Sequence, residues 1–391
     1  MNSKYVRISL ALVAGTFLLT ACGGGEPEPT AFPGLIVDGN AAYLASNLLV
    51  YKFDAQNGTE NWQFPASQDN ANPRGPFSGA PLKVGNLIIV GGSTNSTGGA
   101  DPHLYALNSD TGQEVWRFGP GGPAKEFMAG AVTDGQRIYA PNGDGSLYAI
   151  DATQAVSGQP KLLWQFNTGN RLWSLPRVAG NAVYQGSFDH KLYAIDAATG
   201  KELWQFDGAT APIAVQPALS DGVLYFGAFD SYFYAVNASD GKLRWKTPVD
   251  GWVWCNATVD NGVVYFGDVH GKVYALDAAT GQRKWTYVAH DTIRAQPIIN
   301  QGTLFFVSED TNAYALNLKT IKPDAAGVVD YNATQWRNDT LGRRLVSRPV
   351  ITDGTILIPL FDGNIKVWAL DASNGSRKYQ FPPPPPPTAT P

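Results

Sequence analysis

The chain has 391 residues, of which 42 are Gly, 12% are aromatic and only 16% are charged, with a formal net charge of −4. That balance excludes a nucleic-acid binder working by bulk positive charge, and 44% hydrophobic content excludes a disordered chain. Two Cys and four His exclude a disulfide-rich scaffold and leave little for a metal cluster, so the composition describes many short strands joined by glycine turns.

In chain order, the first segment is an address. Lys4 and Arg7 precede an apolar run from Ile8 to Leu19, and Leu19-Thr20-Ala21-Cys22 follows. A basic start, an apolar core and small residues before a cleavage point describe a secretory signal over residues 1–21. Cys22 directly after Ala21 makes it resemble a bacterial lipoprotein signal, which implies acylation of the Cys22 thiol, palmitate included. Each buried methylene contributes about 0.8 kcal/mol, so several acyl chains hold a protein at a membrane surface. Residues 22–33, with Gly23-Gly24-Gly25 and Pro27, Pro29 and Pro33, read as a lipidated tether. The expectation is an extracytoplasmic protein, lipid-anchored to the cell membrane or the outer membrane.

From residue 34 the chain repeats with a period of about 40 residues, the mark of a repeat architecture. Asp196-Ala197-Ala198-Thr199-Gly200-Lys201-Glu202-Leu203-Trp204 has a near copy in Asp277-Ala278-Ala279-Thr280-Gly281-Gln282-Arg283-Lys284-Trp285. An aromatic residue follows Asp or Asn by eight at Trp62, Trp116, Trp204, Trp245, Trp285 and Tyr379, and by more at Trp164 and Trp336. Seven of the 11 Trp occupy this one position, which makes eight units. Each unit opens with a turn pair such as Asp221-Gly222 or Asn261-Gly262, suited to the positive φ of tight hairpins. No window holds a 3.6-residue period, so helix is negligible. Four short antiparallel strands per unit predict an all-β, eight-bladed β-propeller over residues 34–381.

Ala194-Ile195-Asp196 through Trp204 resembles the tryptophan-docking motif of the pyrroloquinoline-quinone (PQQ) propeller superfamily. That superfamily includes quinoprotein alcohol dehydrogenases and the non-enzymatic, BamB-like lipoproteins of outer-membrane-protein assembly. The resemblance implies that each docking ring packs between the Ala of its own blade and the neighbouring blade. Trp62, Trp116, Trp164, Trp204, Trp245, Trp285, Trp336 and Tyr379 are therefore assigned to blade seams.

With strands A to D in chain order, the B–C and D–A loops share one face and the A–B and C–D loops the other. Long segments 65–79 and 91–103 fall on the first face, insertions 153–162 and 320–335 on the second. The residues just before each A strand line a channel mouth, where Arg74, Arg171, Trp173, Trp254, Arg294 and Arg348 are the expected contacts for a ligand or partner. Simple plugging of the channel by these side chains is the competing reading.

Catalytic chemistry is not expected. Quinoproteins carry a disulfide between adjacent cysteines, calcium-ligand Glu and Asn, and an Asp base, and no segment here aligns with them. Cys255 reads as an inert buried thiol, and the four His fall in separate loops without metal-ligand spacing. Asp144, Asp189, Asp230, Asp268, Asp310 and Asp362 read as turn formers. Residues 382–391 open with six prolines, a polyproline II rod of about 19 Å at roughly 3.1 Å per residue. The resulting expectation is a monomeric, non-catalytic envelope scaffold. Its partners are the membrane, through its lipid, and envelope proteins, with no nucleic acid, metal or cofactor. The alternatives are a PQQ- and calcium-dependent dehydrogenase and a propeller that binds a small ligand or glycan through Trp173 and Trp254.

Overall fold

The computed structural model describes residues 32–66, 75–93, 102–121, 125–158, 160–330, 333–361 and 363–384. Each sequence unit forms one antiparallel sheet with its strands in chain order. Blades 1 to 8 cover residues 34–64, 77–118, 132–167, 177–206, 218–248, 258–288, 298–338 and 350–381. The predicted eight-bladed, all-β propeller is the fold observed.

Blade 5 shows the local logic. Its strands are Ala218–Ser220, Val223–Gly227, Tyr232–Asn237 and Leu243–Pro248. Asp221 and Gly222 both take positive φ, 49° and 73°, as a two-residue hairpin turn matched to strand twist requires. Strand B is buried along its whole length because a neighbouring blade covers each face, which is why it reads Val-Leu-Tyr-Phe-Gly. Strand A faces the central channel, and strand A residues of blades 5, 6 and 7 touch in sequence. Strand D forms the outer rim, where Leu243 is 47% exposed.

The seams follow one rule. Trp164, Trp204, Trp245 and Trp336 each lie opposite an alanine of their own strand C, Ala149, Ala194, Ala235 and Ala315. Their indole N–H groups donate to Ala197, Ala238, Ala278 and Ala372 carbonyls of the next blade at 3.0, 3.1, 3.0 and 3.0 Å. The rings cover the next Thr-Gly, Asp-Gly or Asn-Gly turn so closely that a Cβ on Gly200 would stand 2.6 Å from Trp164. At that turn Gly200 has φ +72°, while Asp196 accepts the Ala198 and Thr199 N–H groups. The glycine is thus required both by conformation and by the ring above it. Blade 1 departs from the rule: Lys52 replaces the alanine opposite Trp62, and its ammonium and the Trp62 N–H both donate to the Ser109 carbonyl.

The ring closes without strand exchange. Blades 1 and 8 each complete their own four strands from contiguous sequence. The Tyr379 hydroxyl of blade 8 donates to the Ala55 carbonyl of blade 1, and Phe381 stacks on Phe53 at 4.2 Å. Tyr379 therefore serves the closing seam as tryptophan serves the others.

The two C–D insertions carry structure of their own. Insertion 153–162 is entered by a five-residue helix, Ala152–Val156, capped by the Asp151 carboxylate, in keeping with a negligible helix content. Its Ala155 carbonyl receives the Trp116 N–H at 2.7 Å, which rebuilds a seam whose Thr-Gly turn is missing. Insertion 320–335 is not wholly a loop. Its Val328–Val329 pairs in parallel with strand D of blade 6, Arg283–Val288, giving that blade a fifth strand and covering its edge.

Candidate functional site: the channel mouth and its aromatic rim

The lead-ins to strand A from all eight blades converge on a cavity of about 260 Å³ at the face carrying the B–C and D–A loops. Trp173, Trp254, Arg294 and Arg348 line it, together with Gln216, Asn256 and Gln296. Arg171 stands outside the cavity, with its guanidinium over the Trp173 ring at 5.4 Å. Arg74 lies outside the described residues. So do Cys22, the signal segment 1–21, most of the loops 65–79 and 91–103, and the tail from residue 385.

Around the mouth the rings touch in series. Trp173 meets Phe188 at 4.8 Å, Phe188 meets Phe229 at 6.1 Å, and Phe229 meets both Trp252 at 5.4 Å and Trp254 at 4.9 Å. Phe32, just before blade 1, continues the series to Trp254 at 6.3 Å and Phe361 at 6.1 Å, bringing the chain's lead-in across the opening. Trp252 is the most exposed of these rings, at 52%.

Arginines are stacked on this arc and held in place. Arg294 lies over Trp254 at 4.6 Å and Arg344 over Phe361 at 5.8 Å. Both guanidiniums donate to the buried Glu309 carboxylate. A buried carboxylate between two guanidiniums keeps their planes fixed, so stacking and hydrogen bonding reinforce one another. Another buried carboxylate, Glu126, accepts the Trp173 N–H at 3.3 Å.

Glu309, Glu126, Phe188, Phe229 and Phe361 were missed in the sequence, although a signal exists. Phe188, Phe229, Glu309 and Phe361 each immediately precede a B–C turn aspartate, one repeat position in blades 4, 5, 7 and 8. The turn aspartates themselves have local work. Asp144, Asp189, Asp230 and Asp310 accept a turn N–H and the strand C hydroxyls of Tyr148, Tyr193, Tyr234 and Tyr314 at 2.5, 2.6, 2.6 and 2.5 Å. Asp268 does the same for Tyr274 at 2.8 Å. Burial first, then the bond to Asp144, push the Tyr148 hydroxyl up to about 12.

Cys255 lies beneath the mouth. Its thiol donates to the Gly267 carbonyl and accepts the Gly267 N–H, and burial pushes it up to about 12. It is a neutral packing group at ordinary pH. Among the described residues, no three His, Cys, Asp or Glu side chains come together as a metal site. No carboxylate lines the 260 Å³ cavity, whereas calcium takes six to eight oxygen ligands, carboxylates among them. The cavity wall therefore does not fit a calcium-held quinone.

Fold and mouth together define a PQQ-repeat β-propeller with an aromatic and arginine-rich rim. The chain belongs to the family described as outer membrane protein assembly factor BamB, whose sequence model matches residues 100–251 and 189–385. BamB of Burkholderia pseudomallei is 31% identical over 139 residues, covering 36% of this chain and 32% of that protein. Lupanine 17-hydroxylase (cytochrome c) of a Pseudomonas species is 26% identical over 204 residues, covering 48% of this chain and 28% of that protein. The chain thus matches about a third or less of the length of these two relatives. The crystal structure of BamB from Moraxella catarrhalis superposes with a TM-score of 0.64 at 18% identity, covering 84% of this chain and 91% of that one, which is a likeness of fold.

Proposed function

We propose that the protein is a non-catalytic scaffold of the cell envelope, anchored by lipid at Cys22, that docks another envelope protein on the aromatic rim of its channel mouth. The observation that carries this reading is the unbroken series Trp173, Phe188, Phe229, Trp252 and Trp254, with arginines stacked on Trp173 and Trp254. Aromatic and Arg side chains are the types that dominate binding energy at protein interfaces, because they bury large area at small entropic cost. Membership of a family described as an outer membrane protein assembly factor supports an envelope partner. Acylation at Cys22 accords with the Leu-Thr-Ala-Cys sequence and would be read by mass spectrometry of the detergent-extracted protein. No helix among the described residues is long and apolar enough to cross a membrane.

The test compares affinity isolation from detergent-solubilised envelopes by the unaltered protein and by Trp252→Ala and Leu243→Ser variants. A partner captured by the protein and by the rim-distant Leu243→Ser, but at least about tenfold less by Trp252→Ala, supports docking at the mouth. Equal capture by all three removes the rim from the interaction. The Trp254 ring, which lines the cavity beside the Arg294 guanidinium stacked on it, favours as a second reading a propeller taking a planar ligand there. Addition of PQQ without added metal should then raise the melting temperature, and a rise abolished by Arg294→Ala would replace the scaffold reading.

A further inference from the structure

A second cavity of about 300 Å³ lies further along the channel. Gln296 and Arg348 line both cavities, so the two meet at these side chains. Arg177 of blade 4 and Arg348 of blade 8 line the second cavity together with Ser220 and Thr258, and no Asp or Glu does. Arg177 donates its Nε–H to the Pro217 carbonyl at 3.1 Å, while Arg348 has no hydrogen-bond or ion-pair partner among the described residues. A guanidinium carries five N–H donors in a fixed fork, so most of this donor capacity is unspent. Burial lowers the affinity of both guanidiniums for their protons, and repulsion from Arg177 lowers that of Arg348 further. Arg348 keeps contact with water through the open channel although the blades ring it, so its charge persists. Two like charges in a walled channel raise each other's energy unless a counter-charge lies between them.

We infer that the channel is a binding site for a small doubly charged oxyanion, held between Arg177 and Arg348. The planar forks suit a phosphate, sulfate or dicarboxylate through paired N–H donors. Thr258 and Gln296 occupy the same wall, where Gln296 donates to the Thr258 hydroxyl at 3.1 Å and to the Ala257 carbonyl at 3.0 Å.

The test uses the mature protein at pH 8 with inorganic phosphate as the probe, against chloride at equal ionic strength. Thermal melts and equilibrium dialysis are read for the unaltered protein, Arg348→Gln and Arg177→Gln. The expected result is one phosphate bound per chain, a saturable rise in melting temperature, and at least a tenfold loss of affinity in each variant. Without phosphate, Arg348→Gln should melt no lower than the unaltered protein, because it relieves repulsion and breaks no bond. Excluded salts stabilise most proteins regardless of site, so an equal, unsaturating rise in all three proteins would overturn the proposal. So would dialysis that detects no bound phosphate. Arg348→Lys keeps the charge but loses the fork, and its intermediate affinity would support paired recognition.

Discussion

The outer seams and the channel mouth are built from the same eight repeats by opposite means. At the seams one residue recurs at nearly every blade and meets the same partner, a carbonyl at the head of the neighbouring turn. At the mouth the corresponding residues differ from blade to blade: Trp173 in blade 4, Ala214 in blade 5, Trp254 in blade 6, Arg294 in blade 7. Uniformity suits a seam because every pair of blades solves the same packing problem. Variety suits the mouth because a ligand or partner is recognised by an arrangement that is not itself eightfold. Stability therefore concentrates where the repeat is kept, and recognition where it is broken.

That contrast can be broken most forcefully at Trp116, which is 5% exposed and bonded to Ala155. Trp116→Ala should cost about 3–5 kcal/mol in chemical denaturation, as for other buried aromatics. A loss below 1 kcal/mol would deny the seam its structural weight. The next effect appears with alkali. The Cys255 thiol sits near 9 when unfolded and is pushed to about 12 by burial, so the folded state holds a proton that the unfolded state releases between these values. Its contribution is complete below pH 9 and declines as pH rises toward 12. Melts from pH 8 to pH 11 should fall, and fall less steeply in Cys255→Ala. Tyr379→Phe, at the closing seam, should cost about 1 kcal/mol for the lost bond to Ala55 while leaving the ring closed. The smallest effect on stability is expected at the mouth. Trp252→Ala should stay within about 0.5 kcal/mol of the parent in the same denaturation, because half of the ring already faces water. A large loss there would make the rim a structural belt.

Much of the propeller was legible because its signals are local. Asp221-Gly222 announces a hairpin through the positive φ that both residues adopt, and Gly200 marks a turn under a ring. Trp173, Trp254, Arg294 and Arg348 were placed at the mouth by counting strands, since direction of travel decides which loops share a face. Arg171 sits on the rim of that mouth, over Trp173. Glu309 was invisible because its role depends on Arg294 and on Arg344, 35 residues further on, meeting at one carboxylate. The fifth strand on blade 6 escaped for a similar reason, since Val328–Val329 pairs with a blade other than the one that encodes it.

Blade number, strand order, seam residues and turn glycines are written in short stretches of sequence, where backbone conformation and alternate burial act within ten residues. The aromatic arc, the Arg294–Glu309–Arg344 cluster and the facing Arg177 and Arg348 exist only once the ring has closed. Closure sets residues from opposite blades across a channel of small cross-section, and charges or rings brought that close influence one another whatever their separation along the chain.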